Sequence, residues 1–316
     1  TFGTDAEIIT VGEMSSTSME NCYQYANEDG KELSMVFSFH HLKVDFMGNE
    51  KWVMVPFDFQ KLKHILFDWQ THMAEHHAWN AVFWCNHDQP RVVSRFGNIE
   101  KYWKESAKML GTVIHCLRGT PYIYQGEELG MTNAGFTDIS QYKDVESLNH
   151  FRILQEKGLT AENAYQILQI HSRDNSRTPM QWTAGENGGF TEGTPWIQVN
   201  ENCSYINAET EQKDPDSIFQ YYKKLVQLRK EYDVIAYGDV QPLDEKHPTV
   251  FAYKRTYQDE SLLVVSNFYG TETQWNCGID LEGWKCILSN YQENSLESSK
   301  ILLKPYETMV LYKHEL

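Results

Sequence analysis

The sequence predicts an α/β fold, a parallel sheet with crossover helices, followed by a small all-β unit. Three observations carry this. Short apolar runs alternate with helically periodic segments as far as Met131, which argues for parallel strands joined by helices. After Val234 helical periodicity stops, and short strand-like runs separated by turns take over. Polar, chemistry-bearing residues also stand directly after the apolar runs, at what would be the ends of strands.

The elements follow in order. Residues 7–11 form a buried strand that leads into Gly12-Glu13. Residues 18–28 suit a short helix, with Ser15, Ser16 or Thr17 as its N-cap. Residues 33–39 form a second strand, ending at His40-His41. From Phe59 to Met73 the spacing of Leu62, Ile65, Leu66 and Trp69 is helical. Ala81-Val82-Phe83-Trp84-Cys85 is the third strand, and Asn86-His87-Asp88-Gln89-Pro90-Arg91 follows it. Residues 102–117 carry an apolar stripe of Met109, Leu110, Val113, Ile114 and Leu117, with Gly119 as a helix stop. Pro121-Tyr122-Ile123-Tyr124 is the fourth strand, ending at Gln125-Gly126-Glu127-Glu128.

Residues 130–215 are irregular apart from a helix over 161–171, and a loop this long is usually functional. An amphipathic helix over 217–232 closes the first unit, taken as residues 1–235. The second, residues 236–316, is expected to be antiparallel and sandwich-like, with strands over 249–255, 261–268, 283–289, 300–303 and 308–312.

Composition narrows the function classes. The 316 residues can bury a large core, and 41% hydrophobic with 23% charged is usual for a globular chain. The 9 Trp, 18 Tyr and 15 Phe suit stacking on sugar rings and core packing alike. A net charge of -16 repels phosphate backbones, so no nucleic-acid partner is expected. None of the six cysteines forms a CxxC pair and no His/Cys cluster has zinc spacing, so neither metal nor cofactor is implied. Reduced, buried cysteines fit a cytoplasmic protein. No run of eighteen apolar residues is present and no signal peptide is visible, so no membrane partner is expected.

Two acids at two strand ends, Glu13 and Asp88, are how a barrel enzyme builds a glycosidase site. Several longer motifs point the same way. They are Val11-Gly12-Glu13-Met14, Phe83 through Arg91, Gly119 through Met131, and Ser172 through Trp182. In type and order they resemble the α-amylase superfamily, in its branch of oligo-1,6-glucosidases and trehalose-6-phosphate hydrolases. Phe37 through Asp45, Glu32 through Met35 and Lys143 through Asn149 resemble the phosphotrehalose enzymes most.

The resemblance implies the second half of a (β/α)8 TIM barrel, strands five to eight, with the small β-unit after it. In the family the nucleophilic Asp lies at the end of strand four, in a segment like Gly-Phe-Arg-x-Asp. No such segment precedes Glu13, and the chain starts at Thr1 without Met, so it reads as the C-terminal portion of a longer enzyme. The missing N-terminal half would be its partner, and the 316 residues alone are expected to be inactive.

The resemblance also assigns roles. Glu13 matches the general acid/base and Asp88 the carboxylate that binds two sugar hydroxyls, with His87 bonding the same sugar. Arg173 and Arg177 would border the cleft, although Asp174 could instead pair with one of them to hold the loop. Arg91 either orients an acid through a bidentate pair or forms a structural salt bridge. Glu127 and Glu128 read as supporting or structural. His40, His41 and Lys43 either meet a phosphate on the substrate or are two packing histidines and a solvated lysine. The implied activity is a retaining α-glucosidase cleaving a phosphorylated disaccharide. The alternatives are an oligo-1,6-glucosidase and a catalytically silent, transporter-associated relative.

Overall fold

Chain order begins with β1 (Val11–Met14), α1 (Met19–Ala26), β2 (Met35–Ser38), α2 (Phe59–Glu75), β3 (Asn80–Val82), α3 (Val92–Phe96), α4 (Trp103–His115) and β4 (Thr120–Pro121). The computed structural model describes residues 8–29, 32–293, 295–297 and 299–315. The four strands pair in parallel and in chain order, with Glu13 opposite Phe37, Phe37 opposite Ala81, and Ala81 opposite Thr120. This is the winding of a barrel segment, in which each crossover helix returns the chain to start the next strand.

The helices are where apolar spacing puts them. Asp58 caps α2 by accepting from the Lys61 amide at 2.9 Å, and Leu62, Leu66, Trp69 and Met73 are buried. In α4 the predicted stripe from Met109 to Ile114 is buried. Strand limits differ from expectation. The first strand runs 11–14 instead of 7–11, because pairing with β2 starts at Val11 opposite Met35, so Glu13 lies within the strand. Residues 1–7 lie outside the described residues. The third strand stops at Val82. Phe83, Trp84 and Cys85 are buried but bond outside the ladder, through His41, the Leu110 carbonyl and the Pro90 carbonyl.

The stretch 130–215 is more ordered than its sequence suggests. It holds α5 (Val145–Glu156), α6 (Ala161–His171), α7 (Asp174–Arg177) and α8 (Ala208–Lys213). Leu154 of α5 and Ala164, Ile167 and Leu168 of α6 form a satellite core with Trp52, Phe136 and Tyr142. Helix α5 escapes sequence reading because its exposed Val145 and Leu148 blur the apolar stripe.

Next come α9 (Ile218–Glu231), capped by the Ser217 hydroxyl, and α10 (Asp233–Tyr237). The rest is all β, in two antiparallel sheets. One has five strands: β5 (Asp239–Leu243), β6 (Val250–Tyr257), β7 (Glu260–Asn267), then β12 (Thr308–His314) and β9 (Lys285–Ser289). The other has three: β10 (Ser295–Glu297), β11 (Lys300–Leu303) and β8 (Thr273–Asn276). Phe251, Tyr253, Leu262 and Val264 face the helices, in one core with Leu66, Val113 and Leu225. Val250, Ala252, Leu263 and Val265 alternate with them and face the small sheet. The buried Arg255 guanidinium donates to the Cys116, Ile235 and Gly238 carbonyls and so straps the sheet to α4 and α10.

Candidate active site

The C-terminal ends of the four parallel strands surround an open pocket lined by Glu13, Phe37, Phe39, Phe83, Cys85, Asn86, His87 and residues 122–124. Its floor is aromatic. The Phe37 ring meets Phe83 edge-on at 5.0 Å and Tyr122 at 4.7 Å, and Phe39 meets Phe83 at 5.3 Å. Glu13, the third of the four β1 residues, is exposed and lines this pocket. Glu13 and His87, 74 residues apart in sequence, thus line one cavity because their strands end at the same edge of the sheet.

Asp88 follows His87 and is fixed by arginines. Arg177 donates from Nη2 to Asp88 Oδ1 at 2.5 Å and from Nε to the His87 carbonyl at 2.9 Å, a two-point clamp on the loop after β3. Arg173 Nη1 lies 3.6 Å from the same Asp88 oxygen. The backbone helps, since the Asp88 amide donates to Asn86 Oδ1 at 2.8 Å. Sequence reasoning missed the far side of this network. Asp144 Oδ1 sits 3.1 Å from Arg173 and 3.8 Å from Arg177, Glu146 lies 3.2 Å from Arg173, and Lys51 lies 3.4 Å from Glu146. Burial works to raise the Asp144 carboxyl, but Arg173 and the Ser147 hydrogen bonds outweigh it and the net shift is downward. The overlooked signal was Asp144-Val145-Glu146-Ser147, an N-cap pattern in which Asp144 accepts from the Ser147 amide at 3.1 Å.

Other expectations move. Asp174 makes no ion pair among the described residues. Its Oδ2 accepts the Lys143 and Asp144 amides at 2.7 and 2.9 Å, so it holds the loop through backbone. Arg91 likewise pairs with no acid among the described residues. It donates to the Gln125 carbonyl at 2.6 Å and the Ser176 carbonyl at 3.3 Å. The three residues considered for a phosphate separate. His41 is 4% exposed, with Nε2 3.0 Å from the Phe83 carbonyl, and burial lowers it to about 3. It is a neutral packing histidine, and the phosphate role does not fit that position. His40 is partly exposed, 3.3 Å from the Ser38 hydroxyl. The Lys43 ammonium donates to the Ser15 carbonyl at 2.9 Å, just past the end of β1.

Chemically, the site offers an exposed carboxyl, an adjacent His–Asp pair and an aromatic surface. Among the described residues no cluster of three or more His, Cys, Asp or Glu is placed to hold a metal ion.

Residues 2–238 match the α-amylase catalytic domain, and residues 250–310 match the C-terminal domain of the α-amylase SusG. A trehalose-6-phosphate hydrolase of Bacillus subtilis is 54% identical over 305 residues, covering 96% of this chain and 54% of the relative. An oligo-1,6-glucosidase of Halalkalibacterium halodurans is 46% identical over 307 residues, again 96% of this chain and 54% of the relative. The crystal structure of Bacillus licheniformis trehalose-6-phosphate hydrolase superposes with a TM-score of 0.96 at 53% identity, covering 99% of this chain and 57% of that one. The chain belongs to the α-amylase family and spans about half the length of the relatives it matches.

Proposed function

We propose, from that family membership, that this chain supplies the acid/base side of a retaining α-glucosidase acting on trehalose 6-phosphate. The observation that carries the reading is the shared pocket of Glu13 and His87, with Asp88 locked beside them by Arg177. Glu13 protonates the glycosidic oxygen as the α,α-1,1 bond breaks. Glucose 6-phosphate or glucose departs, according to which ring occupies the cleavage subsite. The glycosyl group then rests as an ester on an aspartate contributed from outside these residues, about 5 Å from the acid as retention requires. Glu13 next takes a proton from water, which releases the second sugar. Asp88 and His87 grip ring hydroxyls more tightly as the ring flattens, so their binding energy favours the transition state.

Two features support the phosphorylated substrate. The relatives named for trehalose 6-phosphate are 54% and 48% identical, against 46% for an oligo-1,6-glucosidase. The Lys43 ammonium also stands beside the loop that follows Glu13 and suits an anion as a point charge. Such a substrate, with Cys22, Cys85, Cys116 and Cys277 buried, fits a reducing cytoplasm. Because the nucleophile comes from elsewhere, the 316 residues by themselves should show no turnover.

The test compares kcat/KM of the full-length enzyme on trehalose 6-phosphate, trehalose and isomaltose. The phosphorylated sugar should be the best substrate. Isomaltose as the best would replace this reading with an oligo-1,6-glucosidase. Inertness of a folded full-length protein toward all three would indicate a catalytically silent relative.

A further inference from the structure

Beneath the arginine turn lies a buried polar unit that the proposed chemistry does not use. Arg91 is 1% exposed and its guanidinium forms no ion pair among the described residues. Its Nη1 donates to the Gln125 carbonyl at 2.6 Å and its Nη2 to the Ser176 carbonyl at 3.3 Å, while its plane lies over the Tyr124 ring at 5.2 Å. The Tyr124 hydroxyl donates to the same Ser176 carbonyl at 2.9 Å. Ser176 sits in α7, between Arg173 and Arg177, the two residues that hold Asp88. Glu127, 5% exposed, lies within charge range of Arg91. Its Oε1 accepts from the Tyr222 hydroxyl at 2.9 Å and its Oε2 has no hydrogen-bond partner among the described residues.

We propose that Arg91 is a positioning residue that ties α7 to the end of β4 and so aims Arg177 at Asp88, and that Glu127 must be uncharged for this tie to hold. The inference rests on the functional reading above only where turnover is measured. The reason is competition for a donor. While Glu127 is neutral, the carbonyls of Gln125 and Ser176 are the best acceptors within reach of the guanidinium. An ionised carboxylate opposes the guanidinium with a full negative charge and two oxygens, which a neutral carbonyl does not. On losing its proton Glu127 would draw Arg91 down, free the Ser176 carbonyl and loosen α7.

Burial raises the Glu127 carboxyl first, the Tyr222 hydroxyl opposes, Glu128 adds to the rise, and Arg91 and the Tyr124 backbone oppose; the result is about 8. Cys85 is buried beside Arg91, its thiol pushed up to about 12 by burial. His115 stands edge-on to Tyr222 at 5.3 Å and is held neutral by burial, down to about 3. None of these supplies a positive charge that would ionise Glu127 in Arg91's place. The tie is therefore intact below about pH 8 and is lost above it.

Amide hydrogen exchange of Asn175 and Ser176, which donate to the Ser172 and Arg173 carbonyls, reads the tie directly in the full-length protein. R91K should speed their exchange roughly tenfold or more, while Val264 and Val265 of β7 stay unchanged. In the parent, exchange at these amides should exceed the intrinsic base-catalysed rise between pH 7 and pH 9, and E127Q should remove that excess. The kcat/KM of the parent on trehalose 6-phosphate should fall roughly tenfold from pH 7 to pH 9 through this group, a limb that E127Q shifts. Unchanged amides in R91K, or an E127Q protein that keeps the parent's pH dependence, would overturn the proposal. If R91K does not fold, the parent and E127Q titrations decide alone. Exchange needs no turnover, so an enzyme inert toward glucosides would sink the functional reading and leave this one standing.

Discussion

The pocket end of the parallel sheet and the five-stranded antiparallel sheet handle their side chains in opposite ways. In the parallel sheet the strands are two to four residues long, and Glu13 is exposed one residue before its strand ends. In the other, β6 and β7 pair over eight positions with both faces covered, so seven of the eight β7 residues are buried. A short strand releases the chain soon after it is positioned, and the residues just beyond carry polar groups into open space. A long strand covered on both faces leaves its residues only packing to do. Chemistry and stability should therefore separate between the two regions, and the separation can be tested.

Two substitutions of similar size should have opposite readouts. Glu13→Gln in the full-length enzyme should lower kcat by two to four orders of magnitude, about 3–5 kcal/mol of barrier. Being exposed, it should change unfolding stability by less than about 0.5 kcal/mol in a urea titration. Phe251→Ala should remove about 3–5 kcal/mol of stability and leave kcat per folded molecule unchanged. A Glu13→Gln protein that unfolds early, or a Phe251→Ala protein that loses turnover while folded, would break the contrast.

Arg177→Ala comes next. It deletes the clamp on Asp88 and the His87 carbonyl, and kcat/KM should fall roughly ten- to a hundredfold, as expected when a charge-assisted pair worth about 1.5–3 kcal/mol is lost. The smallest effect sharpens the comparison through pH. Burial lowers His41, behind the pocket, and His115, on α4, to about 3 each. The unfolded chain binds these protons near pH 6.5, so the associated stability is full above 6.5 and is lost as pH falls from 6.5 toward 3. Each histidine contributes up to about 1.4 kcal/mol per pH unit in that window. His115→Phe should flatten the fall between pH 6.5 and 5 by about 2 kcal/mol, read as the difference in urea-unfolding free energy at the two values.

Much of this molecule was present in its sequence. Local periodicity located α2, α4, α6 and α9, because a buried stripe every three or four residues cannot serve any other element so well; the N-cap expected of α1 at residues 15–17 is instead Ser18. Alternation of strand and helix specified the parallel sheet, and the motifs around Glu13 and Asp88 identified the family. Partners in space were decided elsewhere. Strand limits followed pairing, since β1 begins where β2 meets it and β3 ends where Phe83, Trp84 and Cys85 find acceptors off the ladder. The inward turn of His41, the choice of carbonyls over acids by Arg91, and the use of Asp144 against both arginines depend on groups 29 to 85 residues distant in sequence. A carboxyl or guanidinium carries the same label in any sequence. Which acceptor it meets, and how much water remains around it, is set only when the chain closes on itself, and that decides whether it binds, reacts or packs.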